Sequence, residues 1–465
     1  MGSPDLVVRG GSIVTAASTL RADIAISGGR ISAIGSDLDV EDAELLDADG
    51  LLVLPGVIDV HTHTRLPSDD EPHRFLTDSI AAAHGGTTTF LAFNNPGTGI
   101  SDAGARSLLA GNAEFRERTA GQSAVDFGLS SVISGLQEDP LAELPGLIAF
   151  GVPTAKAFMV YDFRLPDDAL ERAMGIAARH GGMLLVHCEE PSIIEPLVAA
   201  ALERGDVACR HHALCRPPEA EASATRKAIE MARRAEAPLY IVHLSCEGAL
   251  DAVAAAKARG EPVYAETCPH YLTYTRDLYD DPDESHVIQR VISPPLRART
   301  DVDALWAGLG DGILDVVASD HVPDRIAIEK RLPAPPFPQI SNGAPGIETL
   351  LSVTWSEGVA TGRISAERLV DVLSTTPASL FGLRGKGAIE VGADADLVLF
   401  DPQARRTLRQ ADLHHTSDFT PFEGLEVRGA IAEVLVRGRR LADAVAHPSG
   451  RFLERHLWQR DTFAG

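Results

Sequence analysis

Eight short apolar, β-branched runs recur along the chain, around residues 53–61, 87–94, 125–133, 154–159, 183–188, 239–244, 262–267 and 313–319. Alanine-rich amphipathic stretches such as 167–180, 219–236 and 246–259 separate most of them. A strand can return parallel to its predecessor only through a long crossover, and a helix is the compact one. Eight such units over roughly 330 residues predict an α/β chain built as a (β/α)8 TIM barrel with inserted loops. An open doubly wound sheet is the alternative. It would carry a Gly-x-Gly-x-x-Gly turn after its first strand, and the sequence has none there.

The two ends have a different texture. Residues 5–11, 23–31 and 51–53 are β-prone runs broken by glycine, and so are 392–400 and 433–439. Neither set can bury a face alone, so the two are expected to pair into one small β-sandwich. The expected division is 1–54 and 385–440 for the sandwich, 55–384 for the barrel, and 441–465 for a tail available for oligomer contact.

Composition narrows the function classes. A net charge of -24 argues against nucleic acid and against anionic membranes as partners. Five cysteines, at 188, 209, 215, 246 and 268, form no Cys-x-x-Cys pair and read as reduced. There is no cationic, apolar leader and no apolar run of membrane length, so a cytoplasmic protein is expected.

The candidate chemistry sits where the strands end. The first run closes as Ile58-Asp59-Val60-His61-Thr62-His63. Alternation on a strand sends residues i and i+2 to one face, so His61 and His63 project together. By itself a His-x-His pair reads more readily as two ordinary core or rim histidines. The fourth run carries Lys156, the fifth ends at His187, the sixth at His243, and the eighth runs into Ser319-Asp320-His321. In a barrel, the carboxyl ends of the strands converge on one cup. Four histidines and an aspartate meeting there point to a shared metal centre. Imidazole with carboxylate suits zinc first, with manganese or iron as alternatives. Five such ligands exceed the three protein ligands of one catalytic zinc, so two divalent ions are expected, about 3.5–4 Å apart and in need of an anionic bridge.

With these residues the chain resembles the cyclic-amide branch of the amidohydrolase superfamily: dihydropyrimidinases, hydantoinases, allantoinases and dihydroorotases. The resemblance spans nearly the whole length and rests on specific motifs. They are Pro55-Gly56-Val57-Ile58-Asp59-Val60-His61-Thr62-His63, Lys156-Ala157-Phe158-Met159-Val160-Tyr161, Val186-His187-Cys188-Glu189, Val242-His243-Leu244-Ser245, Ser293-Pro294-Pro295-Leu296-Arg297, Ser319-Asp320-His321, Asn342-Gly343-Ala344-Pro345-Gly346-Ile347-Glu348 and Pro421-Phe422-Glu423-Gly424. The resemblance implies a carbamate on Lys156 as the anionic bridge. It places His61, His63 and Asp320 on one ion and His187 and His243 on the other. It implies hydrolysis of a ring amide by metal-activated water. Tyr161 stabilises the oxyanion, Asp320 moves the proton, and Ser293 and Asn342 hold the substrate's second amide face. Homodimers or homotetramers are common among such proteins.

The ring itself is less constrained. The spacing from Lys156 to Tyr161 and the Asn342 segment favour a dihydropyrimidine or hydantoin. Arg65, two residues after His63, and Asn95 resemble carboxylate-binding positions of dihydroorotases, since a guanidinium clamps a carboxylate well. The other reading of Arg65 is a pair with Asp69, Asp70 or Glu71 in its own loop. Cys188, Glu189 and Cys246 read as supporting neighbours of the ligands, and the segment 209–215 as a solvated loop. A structural, non-catalytic homologue is the remaining alternative, disfavoured because every ligand position is filled.

Overall fold

The structure is a computed structural model, and it describes residues 4–36, 38, 42–96 and 106–455. Its centre is an eight-stranded parallel sheet. The strands are, in order, Val57–Thr62, Thr87–Asn94, Asp126–Val132, Thr154–Phe158, Met183–His187, Leu239–Ile241, Val263–Thr267 and Val316–Val317. Each pairs with its neighbour in sequence. The eighth returns to the first through a parallel bridge between Thr62 and His321, with His63 N–H donating to the His321 carbonyl at 2.7 Å. The TIM barrel expected from the alternation is what forms. The helices expected from amphipathic spacing are there too, at Asp167–Arg179, Pro218–Arg234 and Glu247–Ala258.

Alternation along each strand divides the packing in two. Phe90, Ala92, Leu184 and Val186 join the large core under the surrounding helices. Leu91, Phe93, Leu185, Tyr240 and Val316 form a separate cluster with Phe381. Leu91 and Leu185 stand on strands that are not neighbours, so they share a cluster only by packing across the lumen. The barrel is a filled core, and its apolar floor lies beneath the strand ends.

Both termini contribute to the flanking sheets. Leu52–Pro55 pairs antiparallel with Leu397–Thr407, which pairs in turn with Glu426–Val436. A four-stranded sheet built from Leu6–Arg9, Asp23–Ser27, Arg30–Gly35 and Glu44–Asp47 completes the sandwich. Leu6, Ile24, Val53, Leu397 and Leu435 share its core. Residues 456–465 of the tail lie outside the described residues. Residues 450–455 run along their own barrel: Phe127 N–H donates to Arg451 O at 2.9 Å, and Leu453 N–H to Phe127 O at 2.7 Å. Among the described residues, no helix is long and apolar enough to cross a membrane.

One buried charge cluster ties sandwich to barrel. Lys386 Nζ lies 2.7 Å from Asp126 Oδ2 at the start of the third barrel strand, 3.0 Å from Asp394 Oδ2 and 2.7 Å from Asp396 Oδ2. Removing one member of such a cluster leaves its partners charged and dry. The variant Lys386→Met is expected to cost about 3–5 kcal/mol, read as a fall in the urea midpoint. An unchanged midpoint would show that the cluster does not hold the two parts together.

Candidate active site

The strand ends bring six side chains into one cup. His61 and His63 leave the first strand with ring centroids 5.4 Å apart. Asp320, just past the eighth strand, places Oδ1 3.0 Å from His61 Nε2 and 3.4 Å from His63 Nε2. Lys156, fully buried on the fourth strand, puts Nζ 3.5 Å from His61 Nε2, between the rings of Phe93 and Phe158. His187 Nδ1 faces His243 Nε2 at 2.9 Å. Donor atoms of His61, His243 and Asp320 all lie within 4.8 Å of one another. His243 and Asp320 sit at φ 40° and 49°, and Tyr161 at 76°. Non-glycine residues in that region cost of order 1–3 kcal/mol each and persist where the surroundings over-determine them.

Burial controls the protonation of the cup. It pushes His63, His187 and His243 below the ordinary histidine range, His243 furthest. It also holds the Lys156 amine at about 8, against the opposing pull of Asp320 and Glu266. Burial alone would raise Asp320, but charge and hydrogen bonds from His61 and His63 outweigh it and keep the carboxylate ionised. His61 runs the other way: burial would lower it, but the charges of Glu266 and Asp320 outweigh that and raise it. The cup therefore offers three imidazoles held neutral, His61 against two carboxylates, and an amine that gives up its proton readily. Among the described residues His243 Nδ1 is buried with no hydrogen-bond partner, and two imidazole nitrogens face each other beside it. This donor set fits divalent cations.

Carboxylates stand behind the histidines and orient them. Glu266, on the seventh strand, holds His61 Nδ1 and also accepts from Tyr240 Oη at 2.8 Å and His243 N–H at 3.2 Å. Sequence reading passed over it, although a carboxylate inside the apolar run Val263–Thr267 was the available signal. Glu189, read correctly as a neighbour of the ligands, lies 2.6 Å from His187 Nε2 and is bridged to Arg216 Nη1 at 2.5 Å. Burial would raise its carboxyl; the Arg216 guanidinium and His187 hold it instead at about 2.

On the substrate side, Asn342 Nδ2 donates to Tyr161 Oη at 3.4 Å, Ser293 also hydrogen-bonds that hydroxyl, and Arg216 lies 5.3 Å over the Tyr161 ring. Tyr161, Ser293 and Asn342 thus meet in one place. The segment 209–215 is not a solvated loop. Cys209, His212 and Cys215 are buried, and His212 Nε2 lies 3.2 Å from Ser293 Oγ, a contact across 81 residues that no local pattern reveals. Asn95 is half-buried just past the second strand.

Arg65 is a correction. Its guanidinium is committed, with Nη2 2.7 Å from Asp324 Oδ1 and Nη1 2.5 Å from Glu329 Oε1. It is therefore neither an open carboxylate clamp nor a partner of its own loop's acids. The fully buried Asp324 and the half-buried Glu329, from the segment after the eighth strand, hold the guanidinium instead, because a buried carboxylate gains more from a close cation than surface acids do.

The amidohydrolase family profile matches residues 52–441. The D-hydantoinase of Geobacillus stearothermophilus is 39% identical over 443 residues, 93% of this chain and 92% of that protein. The D-hydantoinase of Ralstonia pickettii is 37% identical over 465 residues, 98% of this chain and all of its own length. Among solved structures, the dihydropyrimidinase from Brevibacillus agri NCHU1002 superposes with a TM-score of 0.91 at 38% identity, over 98% of this chain and 99% of that one. With the parallel barrel and the cup of histidines at its strand ends, these similarities show that the chain belongs to the amidohydrolase family.

Proposed function

We propose that this enzyme opens the ring of a hydantoin or dihydropyrimidine by hydrolysing its amide to an N-carbamoyl amino acid. The single observation that carries the reading is the convergence of His61, His63, Lys156, His187, His243 and Asp320 beside Tyr161. The names of the relatives, D-hydantoinase and dihydropyrimidinase, support the substrate class. His61, His63 and Asp320 would hold one divalent ion and His187 and His243 a second, zinc first, with manganese or iron as alternatives. A carbamate on Lys156 would contact both. When bound, such ions lower the pKa of water and polarise a carbonyl.

The chain's own groups supply the rest. Asp320 is held ionised and lies at the centre of the cup, so it is placed to take the proton of the attacking water and return it to the leaving ring nitrogen. Burial keeps the Tyr161 phenol protonated, and its hydroxyl donates to the developing oxyanion. Ser293 and Asn342, already gathered around that hydroxyl, hold the second amide face. Asn95 is assigned to the rim of the substrate site. The boundaries 1–54, 55–384 and 385–440, a homodimeric or homotetrameric state and a cytoplasmic setting belong to the same proposal.

The dihydroorotase-like reading lost its main support when Arg65 was found paired to Asp324 and Glu329. The variant Arg65→Met is expected to lower stability by about 3 kcal/mol and to affect dihydrouracil and dihydroorotate alike; a selective loss on dihydroorotate would restore the carboxylate clamp. A hydrolysis panel of dihydrouracil, hydantoin, allantoin and dihydroorotate on metal-loaded enzyme tests the substrate class directly, with the first two expected to turn over fastest.

The centre is tested by two variants. Lys156→Ala is expected to lose bound metal and turnover together, with partial recovery of turnover in short-chain carboxylate; full turnover without added carboxylate sinks the bridge. Asp320→Asn is expected to keep much of its metal, measured by plasma emission, while turnover falls at least about a hundredfold. Near-normal turnover would remove Asp320 from proton transfer.

A further inference from the structure

A second group of metal-binding side chains lies outside the cup. His84 ends the helix Arg74–His84, Glu348 follows the eighth barrel strand, and His414 comes from the segment between Leu397–Thr407 and Glu426–Val436. One donor atom from each lies within 4.8 Å of the other two. Three distant parts of the chain meet here. We propose that His84, Glu348 and His414 form an additional divalent transition-metal site, of zinc type, which staples the loop carrying His414 to the barrel.

The donors are of the right kind. The His84 and His414 rings stack at 3.6 Å, and burial with the neighbouring His414 holds His84 at about 4, so it presents a neutral imidazole. Glu348 is buried, with 5% of its surface exposed, and burial raises its carboxyl. Among the described residues it hydrogen-bonds to His414, whose Nδ1 lies 2.7 Å from Oε1 and whose backbone N–H donates to Oε2 at 2.6 Å. Arg406, whose charge acts on it, donates to Ser352 Oγ at 2.9 Å instead. A buried carboxylate supported by one imidazole and one amide has room in its charge balance for a cation.

The frame is rigid where it must be and loose where it can move. A Cβ built on Gly85 would come within 2.6 Å of Glu348 Cα, so glycine allows the helix end and the Glu348 backbone to touch. Zinc bonds of 2.0–2.1 Å place donors about 3.3 Å apart, so the 2.7 Å contact of His414 Nδ1 with Glu348 Oε1 must open while donors that lie further apart, within 4.8 Å, draw in. His414, with 42% of its side chain exposed, has room to unstack once its ring exchanges the hydrogen bond to Glu348 for the ion. Its exposure leaves the fourth position to water.

The loop it would pin matters to the barrel. Thr416 donates from N and Oγ1 to Asp78 Oδ1 at 2.9 and 3.0 Å, and the His415 ring lies 6.0 Å from that of His321, the residue after Asp320. The ion is therefore a structural one, and its effect is on stability rather than on the chemical step.

The test uses holoenzyme with its catalytic centre already loaded with zinc and free metal removed. Wild type, His84→Asn and His414→Gln are dialysed against zinc. Wild type is expected to retain one further zinc per chain that both variants lack, and zinc is expected to raise the Tm of wild type only. Turnover of all three is expected to be equal, which separates this site from the catalytic one and shows that the variants are folded. Cobalt added to zinc-loaded wild type is expected to give visible d–d absorption, an independent reading that needs no variant. Equal zinc retention in all three proteins, or absence of the cobalt bands, overturns the proposal.

Discussion

The carboxylate of Asp59 holds the two ends of the barrel together, and the position of every candidate ligand depends on that closure. It accepts from Ser319 N–H at 3.1 Å and from the Ser319 hydroxyl, so the first and eighth strands share one buried acid. Desolvation lifts this carboxyl to about 6, against the pull of those same hydrogen bonds. Asp59 is two residues before His61, and Ser319 immediately precedes Asp320. The bond that shuts the sheet thus also sets the separation of His61 from Asp320.

Around that closure the protein buries much charge at considerable cost. Isolated ions in a dry interior are prohibitive, and paired ones survive only when their remaining lone pairs and protons are met. The solution is connected networks. Arg216 braces Glu189, which braces His187; Arg297 crosses from the Arg216 carbonyl at 2.5 Å to Glu221 at 2.9 Å, and Glu221 accepts from Ser245, two residues past His243. The histidines are thereby oriented from behind by carboxylates, while the faces they turn inward keep few partners. Left-handed backbone at Tyr161, His243 and Asp320 belongs to the same pattern, with local strain tolerated where side chains must be aimed.

Some of this was legible in the chain and some was not. The eight apolar runs located every barrel strand, because a strand buried on both faces is apolar along its whole length. Long amphipathic helices were legible for a similar local reason. The ends of the strands then nominated His61, His63, Lys156, His187, His243 and Asp320, and the structure brings those six together. Arg65 was misread because its partners Asp324 and Glu329 are 259 and 264 residues away. His212 and Glu266 were missed for the same kind of reason. His212 sits in a segment whose polarity suggests solvent, and Glu266 is one acid within an apolar run, so only their neighbours in space reveal what they do.

The sequence by itself therefore determined the periodicities, and with them the barrel, the pairing of the termini and the set of residues at the strand ends. Periodicity is a local property, carried by each residue's own preference for apolar or polar surroundings. Tertiary structure alone decided which charges pair, which nitrogen of each imidazole faces inward, how far the Lys156 amine is depressed and which parts of the chain meet at His84, Glu348 and His414. Those outcomes depend on distance and dielectric between groups far apart in the chain, and neither quantity exists until the barrel has closed.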